Sequence, residues 1–478
     1  MRRARKPILL VNPFFFEGIS NSGIPFLRGF LEEKKIRSCY LNFNLLQRKD
    51  VEYLEELRKE LRNYIRISDK MKWRDVFDRL YSSVDVWRVA KEVRALDDFF
   101  EKHLSGLSFD LVGISVVARD QLFYVLVFVS YLKRKRKKAK IAIGGSFITL
   151  NRREVLNFFS KYPVIDFFII GEGETAIFRL ASGDKKYINI PNLYFWDGRK
   201  YKKSKAKRQE MINELPAPHF EKGDIGRDSR EDEIIFLQAT RLCFWNKCAF
   251  CLFPNLSTRF CIRSAEKIIE DVKKINAALG RKDLLFHFCD NALPPPFIKE
   301  FSRMVIEQRI PAWKFRAFTR FDARLDEETL NLAKRAKFEF VFGLESSVKR
   351  VSELINKGVT LDKVNEIIRI CDKLRIPIFI ALIFGFPTET KDEVLQEIKF
   401  IKGLKKYKRT KIEISINWFR LERGSDIYLN PKKFNIKIGK QIVPFCTAHY
   451  FKDLTPGALS FNRDSQFFAE ELKKNKNK

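Results

Sequence analysis

Six short strand-like segments, at residues 234–239, 284–289, 315–319, 338–344, 377–384 and 412–418, punctuate the stretch 231–421. Segments with helical spacing lie between them, at 265–278, 326–335, 361–374 and 391–404. Strands that alternate with helices in this way pair parallel, because each helix carries the chain back across the sheet. Successive strand–helix units of this kind imply a partial (β/α)6 TIM-type barrel, with its chemistry at the C-terminal ends of the strands.

Residues 1–185 also alternate strand and helix. Strands are expected at 8–11, 111–117, 141–143 and 167–170, and helices at 24–33 and 121–132. The stretch 50–107 is mostly helical, with Leu54, Leu57, Leu61 and Ile65 at helical spacing. This pattern predicts an α/β domain with a doubly wound, Rossmann-like parallel sheet. Residues 186–230 read as a linker with a hairpin turn at Trp196-Asp197-Gly198. Residues 422–478 read as a C-terminal extension ending in a basic tail.

With 478 residues and 45 % hydrophobic composition, the chain can bury substantial cores. Its net charge of +32 favours encounter with anionic partners. The runs 133–138 and 199–208 concentrate that charge and could bind phosphates, but a solvated helix end and hairpin is the favoured reading of them. The basic start Met1–Lys6 precedes an apolar run too short for a signal peptide, and no stretch reaches the length of a spanning helix. The expected location is cytoplasmic, with no membrane span.

Eight cysteines fit a reducing compartment, and three of them stand in Cys243-Phe-Trp-Asn-Lys-Cys248-Ala-Phe-Cys251, directly after the first barrel strand. Three thiolates on one loop suit three irons of a cubane and leave the fourth iron open. Two other readings stand beside this one: a zinc site completed by Cys261, which would need a fourth ligand, and three buried thiols.

The loop and the segments after it resemble the radical S-adenosylmethionine (radical SAM) superfamily, in particular members with an N-terminal cobalamin-binding-like domain. The family's usual loop has one residue fewer in the first gap, and its aromatic before the last cysteine is Phe250 here. Phe286-His-Phe-Cys-Asp290-Asn291 follows strand two, Phe318-Thr319-Arg320 strand three, and Gly343-Leu-Glu345-Ser-Ser347 strand four. Lys357-Gly358-Val-Thr360 comes next, strand five ends in Gly385-Phe-Pro387-Thr-Glu389-Thr390, and strand six leads to Gly424-Ser425. The resemblance implies a [4Fe-4S] cluster on Cys243, Cys248 and Cys251. It also implies S-adenosylmethionine held by Phe250, Asp290, Arg320, Glu345 and Gly385. Asp290 substitutes for a separate Gly-Gly-Glu that this sequence lacks.

In the first domain, Ser115, Gly144, Gly145 and Gly171 fall at strand ends, where glycine lets a ligand approach the backbone. The resemblance implies that they line a cobalamin pocket. The His-bearing motif of His-ligated cobalamin domains is replaced by Asn12-Pro-Phe-Phe-Phe-Glu-Gly18, so a bound cobalamin is expected to lack a histidine lower ligand.

The implied activity is reductive cleavage of S-adenosylmethionine to a 5′-deoxyadenosyl radical, used in cobalamin-dependent methylation of an unactivated carbon. A radical SAM enzyme without cobalamin and a basic RNA-binding protein with a structural metal are the competing readings. A methylthiotransferase is disfavoured, because the N-terminal half holds only Cys39. The expected partners are a small-molecule or peptide substrate, anionic by charge balance, and an electron donor such as flavodoxin or ferredoxin; nucleic acid is less favoured. His287 and Cys289 are candidate catalytic side chains on the second barrel strand.

Overall fold

The computed structural model describes residues 6–14, 23–47, 52–68, 70–224, 234–256 and 259–459. The first five residues, most of the 12–18 segment and the basic tail lie outside the described residues. The chain divides into two compact units, Met1–Gly226 with Val443–Cys446, and Arg227–Ile442 with Thr447–Lys478.

The first unit is built on a seven-stranded sheet in the order β2-β1-β3-β4-β5-β6-β7. Strands β1 (Ile8–Asn12), β2 (Ser38–Asn42), β3 (Leu111–Ser115), β4 (Lys140–Gly144) and β5 (Phe167–Ile169) are parallel. Every residue of β1 and β3 is buried, which explains their uninterrupted apolar sequences. The segment read as a linker instead extends this sheet. Strands β6 (Leu193–Trp196) and β7 (Tyr201–Lys203) form a hairpin that runs antiparallel to β5. Its turn falls at Asp197-Gly198, where glycine takes φ +98°. Phe445 also packs in this unit, edge-on to Tyr81 and Phe158, and its N–H donates to Glu154 at 2.7 Å.

The second unit holds six parallel strands in the order β15-β14-β13-β12-β11-β8. The first of them, β8 (Ile234–Leu237), is followed by β9 (Thr240–Arg241) and β10 (Cys261–Ile262), which pair antiparallel beside the sheet. The remaining five are β11 (Leu285–Phe288), β12 (Lys314–Thr319), β13 (Phe338–Glu345), β14 (Ile378–Phe384) and β15 (Ile412–Trp418). Each added strand pairs with the one before it, so each helical connection crosses on the same side, as in an unclosed barrel.

Register decides which residues face the helices. Phe286, Phe315 and Phe338 align across three strands and are at most 2 % exposed. Phe301, from the helix Pro295–Glu307, packs against Phe315 at 5.0 Å and Phe288 at 5.4 Å. Each buried phenyl contributes about 1.5–3 kcal/mol to stability. The opposite face carries Phe236, His287, Arg316 and Glu339 in one row, and Phe318, Val341, Phe379 and Glu413 in the next. Most of these side chains remain partly accessible.

Local signals set the helix ends. Ser264 caps the helix Ala265–Leu279, which stops at Gly280 in the left-handed region. Thr390 and Glu393 form a capping box on the helix Lys391–Gly403. The extension also folds where the sequence suggested little order. After β16 (Leu421–Glu422), strands β17 (Ile436–Gln441) and β18 (Ala448–Asp453) complete a three-stranded antiparallel sheet. No helix among the described residues is long and apolar enough to cross a membrane.

Candidate cofactor site

The cysteine loop leaves the C-terminal end of β8, and backbone bonds fix its start. Cys261 and Ile262 pair with Arg241 and Thr240, which closes the base of the loop. Asp290, 3 % exposed, accepts the Ala239 N–H at 3.0 Å and also the Thr240 N–H. Burial pushes the Asp290 carboxyl up to about 6. The resemblance implied Asp290 as a holder of S-adenosylmethionine; in the structure both of its oxygens accept from the loop's backbone.

Inside the loop, Leu242 and Asn246 take the left-handed conformation, at φ 71° and 52°. The turn between them directs Trp245 away from the loop, and its indole N–H donates to the Asn356 carbonyl at 2.7 Å. At Gly358 the indole occupies the space of a side chain, since a Cβ there would lie 2.2 Å from the Trp245 ring. The Cys251 N–H bonds to the Cys248 carbonyl at 3.1 Å, and the Ala249 N–H to the Ile355 carbonyl at 2.8 Å.

Two cations stand beside the thiols. Arg320, 4 % exposed, donates to the Lys357 carbonyl, and its charge acts on Cys248 and Cys243. Its guanidinium lies 4.4 Å from the centre of the Trp245 ring. The Lys357 ammonium pairs with Glu345 at 2.8 Å. Burial pushes the Cys248 thiol up and the Cys251 thiol up to about 11, while Lys357 opposes both shifts and Arg320 opposes that of Cys248. A metal bound there would supply the charge that deprotonates them.

Glu345 ends β13 at φ 68°, past a register shift at Gly343/Glu345. A left-handed glutamate at a bulge costs roughly 1–3 kcal/mol and persists only where neighbours hold it. The support comes from the helix Lys391–Gly403. Its buried Glu397 accepts from the Ser346 hydroxyl at 2.9 Å and the Ser347 N–H at 2.8 Å. Arg350 grips Glu393 with two bonds of 2.6 Å and also reaches Thr388.

The other expected positions take different places. Phe250 packs against an apolar cluster that includes Val351, Ile355 and Phe386, where its ring buttresses the loop. Gly385 turns the chain at φ 71° and donates its N–H to Glu389 at 2.6 Å. His287 lies between Phe236 and Phe318, at 5.6 and 5.8 Å. Burial, reinforced by Arg316, pulls its pKa down to about 4, so the ring is neutral at neutral pH. Strand alternation puts Cys289 on the same face.

In the first unit, Ser115 pairs with Gly144 at the C-terminal edge of the sheet, and Gly171 follows β5 on the same edge. Gly145 is required by the fold, because a Cβ there would sit 2.3 Å from the Val116 carbonyl oxygen. Gly171, at φ +94°, has nothing within 4 Å of a Cβ position. His219 is engaged with Glu32 and Glu221, and His103 packs on Phe99.

Among the described residues, no three His, Cys, Asp or Glu side chains converge as ligands to one metal ion. Trp245 and Glu397 went unread in the sequence as parts of the site. Their partners lie 111 to 51 residues away, and no local pattern marks them.

Comparison with known proteins places this arrangement. The radical SAM superfamily matches residues 237–401. An uncharacterized methyltransferase of Pyrococcus horikoshii is 24 % identical over 310 residues, 62 % of this chain and 64 % of the relative. A putative methylthiotransferase of Methanocaldococcus jannaschii is 24 % identical over 286 residues, 57 % of this chain and 60 % of that one. The chain thus spans less than two thirds of the length of either curated relative. The radical S-adenosylmethionine methyltransferase TsrM from Kitasatospora setae, solved with cobalamin and a [4Fe-4S] cluster, shares the fold. The TM-score is 0.66 at 15 % identity, over 98 % of this chain and 91 % of that one. Residues 237–401 match the radical SAM superfamily, and the whole chain, with its preceding parallel-sheet domain, shares the fold of that cobalamin-bound radical SAM structure.

Proposed function

We propose that Cys243, Cys248 and Cys251 hold a [4Fe-4S] cluster, and that the enzyme methylates an unactivated carbon with cobalamin carried on the first unit. The single observation behind the first part is the loop itself. Three mutually interacting thiols follow the first barrel strand, with Arg320 and Lys357 beside them. When bound, such a cluster supplies the electron that cleaves S-adenosylmethionine to methionine and a 5′-deoxyadenosyl radical.

The chain's own residues bind and orient. Arg320 and Lys357 set positive charge against the cluster's thiolates and against a ligand carboxylate. Glu345, fixed by Lys357 and by its bulge, offers an acceptor at the end of β13. Phe250, Ala249 and their apolar neighbours exclude water from one side of the loop. On the first unit, Ser115, Gly144 and the open position at Gly171 suit a flat ligand laid against strand ends, and the residues around β1 include no histidine to ligate it from below.

A radical SAM enzyme without cobalamin is the second reading. It is favoured by Gly145, whose glycine serves backbone packing rather than a ligand. Methylthiotransferases occur among the relatives, but the first unit has Cys39 as its one cysteine before residue 226, apart from Cys446 in its added segment, too few for a second cluster. The test is cobalamin retention after anaerobic reconstitution, followed by product analysis with isotopically labelled methyl donor. Stoichiometric cobalamin and a labelled methyl in product support methylation. Full S-adenosylmethionine cleavage with no cobalamin retained would favour the second reading.

A further inference from the structure

We infer that the open face of the second sheet binds a small amphipathic anion, with an apolar, ring-bearing body and one carboxylate or phosphate group. This deepens the proposed function by naming a substrate class, and it rests on that reading for its link to catalysis.

The walls are aromatic and accessible. Phe236, Phe318 and Phe379 point to this face, and Phe318 is 40 % exposed. The phenyl rings Phe286, Phe315 and Phe338 of the opposite face are at most 2 % exposed. Accessible rings on a concave surface stabilise whatever covers them, because removing their area from water is favourable by about 25 cal/mol per Å².

One end of the slot carries surplus positive charge. Glu339 pairs with Arg316 at 3.1 Å and with Lys314 at 2.7 Å, so one carboxylate faces two cations. The neighbouring ion pair Lys411–Glu413 is balanced. Arg316 Nε is buried and finds no hydrogen-bond acceptor among the described residues. A planar anion arriving there would complete the guanidinium's donor set and neutralise the excess. His287, held uncharged beside it, adds a neutral hydrogen-bonding group.

The other polar end is the Glu345–Lys357 pair. Glu339 and Glu345 are six residues apart along β13, roughly 20 Å at ~3.3 Å per residue. Between them Val341, Phe379 and Ala381 form an apolar stretch of the wall, with Glu413 and Ser415 beside it on β15. A charged head at one end and a hydrocarbon body along the wall match that sequence of surfaces.

The test uses the anaerobically reconstituted full chain and calorimetric titration with 2-naphthoate and its neutral analogue 2-naphthamide. Wild type is expected to bind the carboxylate about tenfold more tightly than the amide. Arg316→Gln should remove most of that preference and leave amide binding unchanged, because Lys314 still pairs with Glu339. Phe318→Ser, a change at an exposed ring, should weaken both ligands several-fold. Equal binding of the two ligands by wild type would overturn the inference. So would a preference that survives Arg316→Gln, since it would assign the anion to the general basic surface. Measuring 5′-deoxyadenosine on the same preparations separates the two readings. Selective binding without its formation overturns the radical centre alone, and its formation with unselective binding overturns the anion slot alone.

Discussion

The indole of Trp245 stacks on the guanidinium of Arg320 at 4.4 Å, and it does so because residue 358 has no side chain. Asn246 turns the cysteine loop in the left-handed region, Trp245 reaches the 356–358 segment, and Arg320 lies against the indole with its charge near Cys248.

Gly358→Ala is expected to displace the indole and cost about 1–3 kcal/mol, with iron content after reconstitution falling in parallel. Trp245→Ala should lose the cation–π contact and the bond to Asn356 and shift the cluster's reduction potential, read by electron paramagnetic resonance titration. The double variant should recover part of the stability lost in Gly358→Ala alone, since the clash is gone. Additive losses in the double variant would refute the coupling.

Glu389 is 1 % exposed, and burial pushes its carboxyl up to about 8, with Glu397 and Glu393 adding to the shift. Between about pH 4.5 and 8 the folded chain keeps a proton that the unfolded chain has released. Stability therefore falls as pH rises through this window. Glu389→Gln cannot ionise, so its melting temperature should match wild type near pH 5 and exceed it by about 5 °C at pH 8.5. Asp290, raised to about 6, adds a fall of the same sign that ends near that pH and persists in the variant. A variant with the wild-type pH dependence would contradict this assignment.

Most of the parallel strands could be read in the sequence from their apolar residues between helical segments, and the six-fold order of the barrel followed from them; β2, with its serine, cysteine and asparagine, was not read. The 193–203 hairpin was read as a turn, but its pairing to β5 was not, since antiparallel addition at a sheet edge leaves no mark in the edge strand. The three-stranded sheet after residue 421 escaped notice because β16 is two residues long and β17 alternates isoleucine with lysine and glycine over only a few positions. At the site, the cysteines and Glu345 stood out by motif. Asp290 stood out too, but its role turned on whether backbone N–H groups or a ligand consumed its oxygens, which spacing does not encode.

Gly145 and Gly171 make a contrast that separates packing from binding in the first unit. Gly145→Ala should destabilise the unit by about 1–3 kcal/mol, through the clash with Val116. Gly171→Ala adds only backbone strain in open space, so it is expected to fold and to retain cobalamin. Gly171→Leu fills that space and should lose cobalamin while keeping the helical and sheet content of wild type, measured by circular dichroism and by absorbance of the bound corrinoid. Undiminished cobalamin in Gly171→Leu would remove this edge as the binding surface.

The most direct measurement is 5′-deoxyadenosine formation by the anaerobically reconstituted chain, with S-adenosylmethionine and dithionite and with Cys248→Ala in parallel. Wild type is expected to hold about four irons per chain and to form the product, and the variant to lose both iron and product. A wild-type chain that takes up zinc in place of the cluster, or a Cys248→Ala chain that forms product as well as wild type, would contradict the radical SAM centre on this loop.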